Sequence, residues 1–264
     1  MSDLSLLQTL LGGASGSLVG FTLGLVGGGG SILAVPLLVY LVGVPSAHVA
    51  IGTSAVAVAV NAAASVVGHA RAGNVRWPCA SVFASAGVAG AFAGSAIGRR
   101  LDGQALLAAF AVLMIVVAVL MLLRRDDGVD RVVRLNRENA PALIGTGLGV
   151  GALSGFFGIG GGFLIVPGLV FATGMPMLQA IGTSLVAVTA FGVTTAGTYA
   201  LAGLVDWPLA AVFVGGGVLG GLVGARAGQA LSLRRGALTR VFAGLIFVVA
   251  GYMLARSFGF LAYR

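Results

Sequence analysis

Lysine is absent from this chain and acids are scarce: seven Asp and Glu stand among 264 residues, and all fifteen basic residues are Arg. Charged residues make up 8% of the sequence, against roughly 25% in an ordinary soluble domain. A soluble fold of this size needs a charged coat, so an ordinary soluble enzyme or nucleic-acid binder is excluded. A net charge of +8 would point to nucleic acid in a soluble domain; here most Arg fill gaps between apolar runs, where they set orientation. The acids are Asp3, Asp102, Asp126, Asp127, Asp130, Glu138 and Asp206, and none falls within an apolar run. With no carboxylate in a span to bind a cation or relay a proton, a cation carrier or metal permease is disfavoured. A single cysteine, Cys79, excludes an internal disulfide and a multi-cysteine metal site. It follows Trp77-Pro78 and reads as a small apolar packing residue. The N-terminal stretch lacks a basic region, so no cleaved signal peptide is read there.

Apolar side chains are abundant, at 58%, with a mean hydropathy of +1.08. Glycine contributes 45 of 264 residues, far above the ~7% of average usage. The fold class that follows is an all-α polytopic membrane protein. A hydrocarbon core of ~30 Å needs about 20 apolar residues per helix. Runs of that order lie at 5–26, 47–70, 78–98 and 104–123, and again at 141–158, 177–202, 208–228 and 237–258. Two shorter runs, 31–43 and 160–173, each follow a glycine cluster and end before a Gly-X-Pro turn, Gly43-Val44-Pro45 and Gly174-Met175-Pro176. Each predicts a broken or re-entrant segment.

The chain is an internal duplication. Residues 16–45 align on 147–176 with 14 identities in 30 positions, and 50–78 on 180–208 with 14 in 29. The shared strings include AIGTS at 50–54 and 180–184 and the pairs Trp77-Pro78 and Trp207-Pro208. The domains are repeat 1 at 1–123, a charged cytoplasmic linker at 124–140 and repeat 2 at 141–264. If each broken unit makes no net crossing, Arg71, Arg76, five linker Arg, Arg226, Arg234, Arg235 and Arg240 lie inside. Only Arg99, Arg100, Arg256 and Arg264 then lie outside. Parallel four-span repeats give a poorer asymmetry, so inverted repeats with both termini outside are expected. Each repeat is then a broken glycine-rich hairpin plus three full spans.

The glycines have two uses. Gly12, Gly16, Gly20 and Gly24 recur every four residues, as do Gly147, Gly151 and Gly155; Gly90, Gly94 and Gly98; and Gly216, Gly220, Gly224 and Gly228. Such ridges let helix backbones approach closely in lipid. The clusters at 27–30 and 158–162 are poor helix, and irregular backbone at membrane depth is tolerated only where it is buried or lines a wet cavity. A helix restarting after such a break aims its first N–H groups and positive dipole end into the gap, which suits an anion. A kink without a ligand is the plainer alternative. The candidate substrate-binding residues are Gly28, Gly29, Gly30, Ser31, Gly160, Gly161 and Gly162, with the hydroxyl pairs Thr53, Ser54, Thr183 and Ser184. Those hydroxyls can equally back-bond to their own helix. Asn61 aligns with Phe191 and reads as interhelical glue or an asymmetric substrate contact. His48 is expected near an interface. His69, at a span end and aligned with Tyr199, is expected at an interface in preference to a role in proton coupling. Trp77 and Trp207 suit interfacial belts.

Gly27-Gly28-Gly29-Gly30 running to Pro36, then Gly43-Val44-Pro45 and Gly52-Thr53-Ser54, resembles the signature of the TauE/SafE family of sulfite exporters. The second copy, Gly160-Gly161-Gly162 to Pro167, Gly174-Met175-Pro176 and Gly182-Thr183-Ser184, resembles it more closely, with Ser31 the departure where the second copy has Gly162. The likeness covers roughly residues 12–258. It implies inner-membrane, multi-pass transport of sulfite, sulfoacetate or related sulfur oxyanions and organosulfonates, usually as export. The expected function is a secondary transporter of small sulfur-containing anions working by alternating access. Import of sulfate- or thiosulfate-type anions and a passive anion channel are the alternatives. A hydrolase using Ser54 or Ser184 with His69 lacks a convincing Ser–His pairing, so no catalytic residue, metal or cofactor is assigned. The expected partners are a small anion and membrane lipid; no nucleic acid is expected, and homo-oligomerisation is left open.

Overall fold

The computed structural model describes residues 5–98, 100–101, 103–123, 139–157, 162–232, 240, 243–244 and 246–252. Among the described residues every regular element is helical. The long helices are α1 (Leu6–Val26), α3 (Ala47–Arg71), α4 (Trp77–Gly98), α5 (Gly103–Leu123), α6 (Ala140–Phe157), α8 (Met177–Leu201) and α9 (Trp207–Ser232), with the shorter α7 at Gly162–Thr173. Six of them are long and apolar enough to cross a membrane. Their outward surfaces are apolar too: Phe92, Phe171, Leu201 and Leu219 are all exposed. In water such a surface would aggregate, and in lipid it is solvated.

Most span boundaries fall within a residue or two of those expected. α9 runs further, to Ser232, because Arg226 points outward and does not end the helix. Trp77 and Trp207 open α4 and α9 and are exposed, each with Pro in the first turn. Cys79 is a buried free thiol, as its setting suggested. α1 opens on a reciprocal cap: Gln8 N–H donates to Ser5 Oγ and Ser5 N–H to Gln8 Oε1, both at 3.1 Å.

The first break is visible in the backbone. α1 stops at Val26, and Gly27 takes φ +67° and ψ −143°, which a side chain would resist. A 3-10 stretch follows (Gly27–Leu33), then a single α turn, α2 (Ala34–Pro36), then π-helical turns (Leu37–Leu41). The chain leaves through Gly43 at φ +79°. In the second copy α6 ends at Phe157 and α7 begins at Gly162. Gly158, Gly160 and Gly161 lie outside the described residues, as do the linker 124–138 and much of the last expected span.

The glycine ridges decide which helices touch. α1 packs most extensively on α9, and α4 on α6. Gly16, Gly20 and Gly24 lie against Phe213, Gly217 and Gly221, in the same order along both helices. α1 and α9 therefore run the same way. Gly151 and Gly155 of α6 lie likewise against Gly87 and Ala91 of α4, at the equivalent positions of the duplication. At Gly20 a Cβ would overlap the Gly217 carbonyl, so only glycine permits this approach. Asn61 and Ser65 of α3 face Gly217 and Gly221, so α3 runs with α1 and α9, and the stretch 27–46 brings the chain back between α1 and α3.

Candidate functional site

The two interrupted segments meet backbone to backbone. A Cβ built on Gly28 would overlap the Gly162 carbonyl, and one on Gly162 the Gly28 carbonyl. The absence of both side chains lets the start of the first 3-10 stretch and the start of α7 touch. α8 closes this point from the side. Gly28 N–H donates to Ser184 Oγ at 3.1 Å, and that hydroxyl donates onward to the Ile181 carbonyl at 2.7 Å. Ser31 turns its hydroxyl back to the Gly28 carbonyl at 2.9 Å. Val188 packs close to Gly28. Gly28, Ser31, Gly162 and Ser184 are thus one buried cluster. Gly29 and Gly30 continue the same 3-10 stretch.

The Thr-Ser pairs divide their work. Each Ser donates to the carbonyl three residues back in its own helix, Ser54 to Ile51 at 2.9 Å and Ser184 to Ile181. Each Thr instead reaches the opposite copy. Arg76 N–H donates to Thr183 Oγ1 at 3.0 Å, and Asp206 N–H donates to Thr53 Oγ1 at 2.9 Å. Arg76 and Asp206 are equivalent positions of the duplication, so this is one contact made twice. Gly52 and Gly182 allow it: a Cβ on the first would overlap the Leu204 carbonyl, and one on the second would sit 2.6 Å from the Asn74 oxygen. The equivalence ends at the side chains. Arg76 Nε donates to Gln179 Oε1 at 2.9 Å, whereas Asp206 Oδ1 accepts from Leu209 N–H at 3.1 Å and caps α9.

Asn61 is buried apart from the serines, over Gly217, and neither side-chain polar atom has a partner among the described residues. His69 refines the sequence expectation. It stands in the last turn of α3 as expected, but is fully buried against α1, and its Nε2 lies 3.2 Å from the Gly24 carbonyl. The C-terminal turn of α1 runs alongside the end of α3, and that turn is what buries the ring. His48 keeps its peripheral place, with Nε2 3.1 Å from the Leu101 carbonyl. No described Ser is hydrogen-bonded to His69, and among the described residues no group of three His, Cys, Asp or Glu could hold a metal ion.

Among the described residues the meeting point of the two segments is built from backbone amides, carbonyls and hydroxyls. The family model for the sulfite exporter TauE/SafE matches residues 12–253. The chain belongs to the TauE/SafE family. A protein of Xylella fastidiosa (strain Temecula1), named "Probable membrane transporter protein", is 50% identical over 97% of this chain and 98% of its own length. A protein of Haemophilus influenzae with the same name is 35% identical over 64% of this chain and 65% of its own. No solved structure gives a significant match. This TauE/SafE protein is therefore a multi-pass membrane transporter acting on a small-molecule substrate. The cross-copy ties Thr53–Asp206 and Thr183–Arg76 were not foreseen from the sequence. The signal that could have found them is the repeated Trp-Pro pair, which places Arg76 and Asp206 in equivalent turns.

Proposed function

We propose that this transporter is a secondary carrier, an exporter in the inner membrane, of small sulfur-containing anions such as sulfite, sulfoacetate and other organosulfonates. The observation that carries this reading is the backbone contact of Gly28 with Gly162. It joins two helix starts in a region whose donors are amides and hydroxyls. An anion there would be held by Gly28, Gly29, Gly30 and Gly160, Gly161, Gly162, with Ser31, Ser184 and Ser54 beside them. Thr53 and Thr183 brace the flanking turns, and Asn61 supplies an asymmetric contact. Membership of a family of sulfite exporters supports the sulfur anion.

The repeats are inverted. What supports this is the order of contacts: α1, α3 and α9 share one direction. Short turns at 72–76 and 202–206 reverse α4 against α3 and α9 against α8. α6, which runs with α4, then opposes its copy α1. Two opposed halves meeting at one point are the usual frame for alternating access. The halves are 1–123 and 141–264, joined by a cytoplasmic linker at 124–140. Transport, rather than catalysis, is the whole activity.

Counterflow in proteoliposomes tests the proposal. Vesicles loaded with unlabelled sulfite or sulfoacetate should take up the labelled anion, and acetate should not exchange. Exchange of acetate alone would overturn the sulfur-anion reading. Flux without counterflow would mark a channel, and preference for sulfate or thiosulfate the importer.

A further inference from the structure

One groove of the molecule carries Asn and His where its equivalent carries Phe and Tyr. Asn61, Ser65 and His69 are spaced four apart on α3, so they share one face, and all three are buried. Asn61 and Ser65 lie against the ridges of α9 at Gly217 and Gly221, and His69 against Gly24 of α1. The equivalent positions on α8 are Phe191, Thr195 and Tyr199, and there the Phe191 ring fills the space over Gly87. The polar groove is left short of partners. Among the described residues Asn61 Nδ2 and Oδ1 and His69 Nδ1 have no protein hydrogen bond. Buried polar atoms of this kind are paired with water or a ligand, or they are functional.

We infer that His69 is the proton-binding site that couples anion movement to proton movement, reached through water along Asn61 and Ser65. The ring lies beside the end of a helix. Its Nε2 is at the Gly24 carbonyl, in the last turn of α1, where unpaired carbonyls concentrate the negative end of the helix dipole. Nε2–H donates there, and the open Nδ1 takes the proton. Gly28, four residues along the chain from Gly24, begins the candidate anion site. An imidazolium and an anion bound there stabilise each other, and each favours binding of the other by the same factor. Proton and anion are predicted to move in the same direction, so that export runs down the anion's own gradient and carries protons outward with it.

Among the described residues no other group near His69 performs this task. α1 and α5 carry no titratable side chain. α8 contributes Tyr199, the stretch 27–41 contributes Tyr40, and α9 contributes Arg226, which is exposed. On α3 itself, His48 lies at the far end and Arg71 is exposed.

The inference rests on the anion-carrier reading, and the test separates the two. Sulfoacetate is the probe, because it does not titrate near neutrality as sulfite does. Wild-type proteoliposomes should accumulate it against its gradient when a pH gradient is imposed. Two variants are compared: His69→Gln, which keeps a donor for Gly24, and His69→Tyr, the residue that occupies the equivalent place on α8. Both should lose gradient-driven accumulation while retaining counterflow exchange, and the pH dependence of exchange between pH ~5 and ~8 should flatten. Purified wild-type protein in weak buffer should take up protons when sulfoacetate is added. That measurement needs no variant and stands even if both misfold. Accumulation by either folded variant at the wild-type level, or no proton uptake on binding, overturns the inference. Wild-type vesicles that exchange no sulfur anion overturn the transport reading instead.

Discussion

Ser184 shows how a single hydroxyl holds the candidate site. Gly28 N–H is buried, and Ser184 Oγ is its acceptor. Ser184→Ala leaves that donor unpaired inside the protein, at a cost of about 1–3 kcal/mol. Ser85→Ala removes only an exposed bond to Val82 and should change stability by less than ~0.5 kcal/mol. Thermal unfolding in detergent compares the two, and equal melting temperatures would show that the Gly28 contact carries no weight. If an anion takes the Gly28 amide, sulfoacetate should raise the melting temperature of Ser184→Ala by more than that of the wild type. The repeated AIGTS string singled out Ser184 without its partner, since Gly28 stands 156 residues away. The burial of His69 escaped the sequence for a related reason: its position near the end of an apolar run is legible, but its burial depends on where α1 ends beside it.

Helices were the most legible level, because span length and ridge spacing follow directly from helix geometry. Which ridge meets which was not legible, since four ridges of similar glycines offer several pairings. The structure joins α1 to α9 and α4 to α6, so each pair mixes the two copies. Gly20→Ala tests the α1–α9 seam. The added methyl meets the Gly217 carbonyl, a backbone atom that cannot rotate away, and overpacking of this kind costs about 1–3 kcal/mol or more. Gly145→Ala on α6 has nothing within 4 Å and a helical backbone. It should instead stabilise by about 0.4–1 kcal/mol through the unfolded chain. Melting curves and size-exclusion profiles of both variants provide the comparison. A neutral Gly20→Ala would mean that the helices do not touch as described.

The whole molecule is held together by exchange between its copies, and Thr53 and Thr183 show this in matched form. Each accepts an amide hydrogen from the turn before the other copy's helix, Asp206 before α9 and Arg76 before α4. Val at either position keeps the shape and removes the acceptor, at about 1–2 kcal/mol each. The two contacts share no partner, so the double variant should show the sum within ~0.5 kcal/mol. A strongly non-additive result would show that the two turns move as one. The same exchange bears on topology. With α1, α3 and α9 opposed to α4, α6 and α8, the chain from the start of α1 to the linker makes an odd number of crossings. The N-terminus and the linker then lie on opposite faces, and a linker proposed as cytoplasmic from the arginine distribution puts the N-terminus outside. Parallel four-span repeats would put both on the same face. Reporter fusions at the N-terminus and within 124–138 decide between them: the first should report the outer face and the second the cytoplasm. Both reporters on the cytoplasmic side would overturn the inverted arrangement and, with it, alternating access about the Gly28–Gly162 contact.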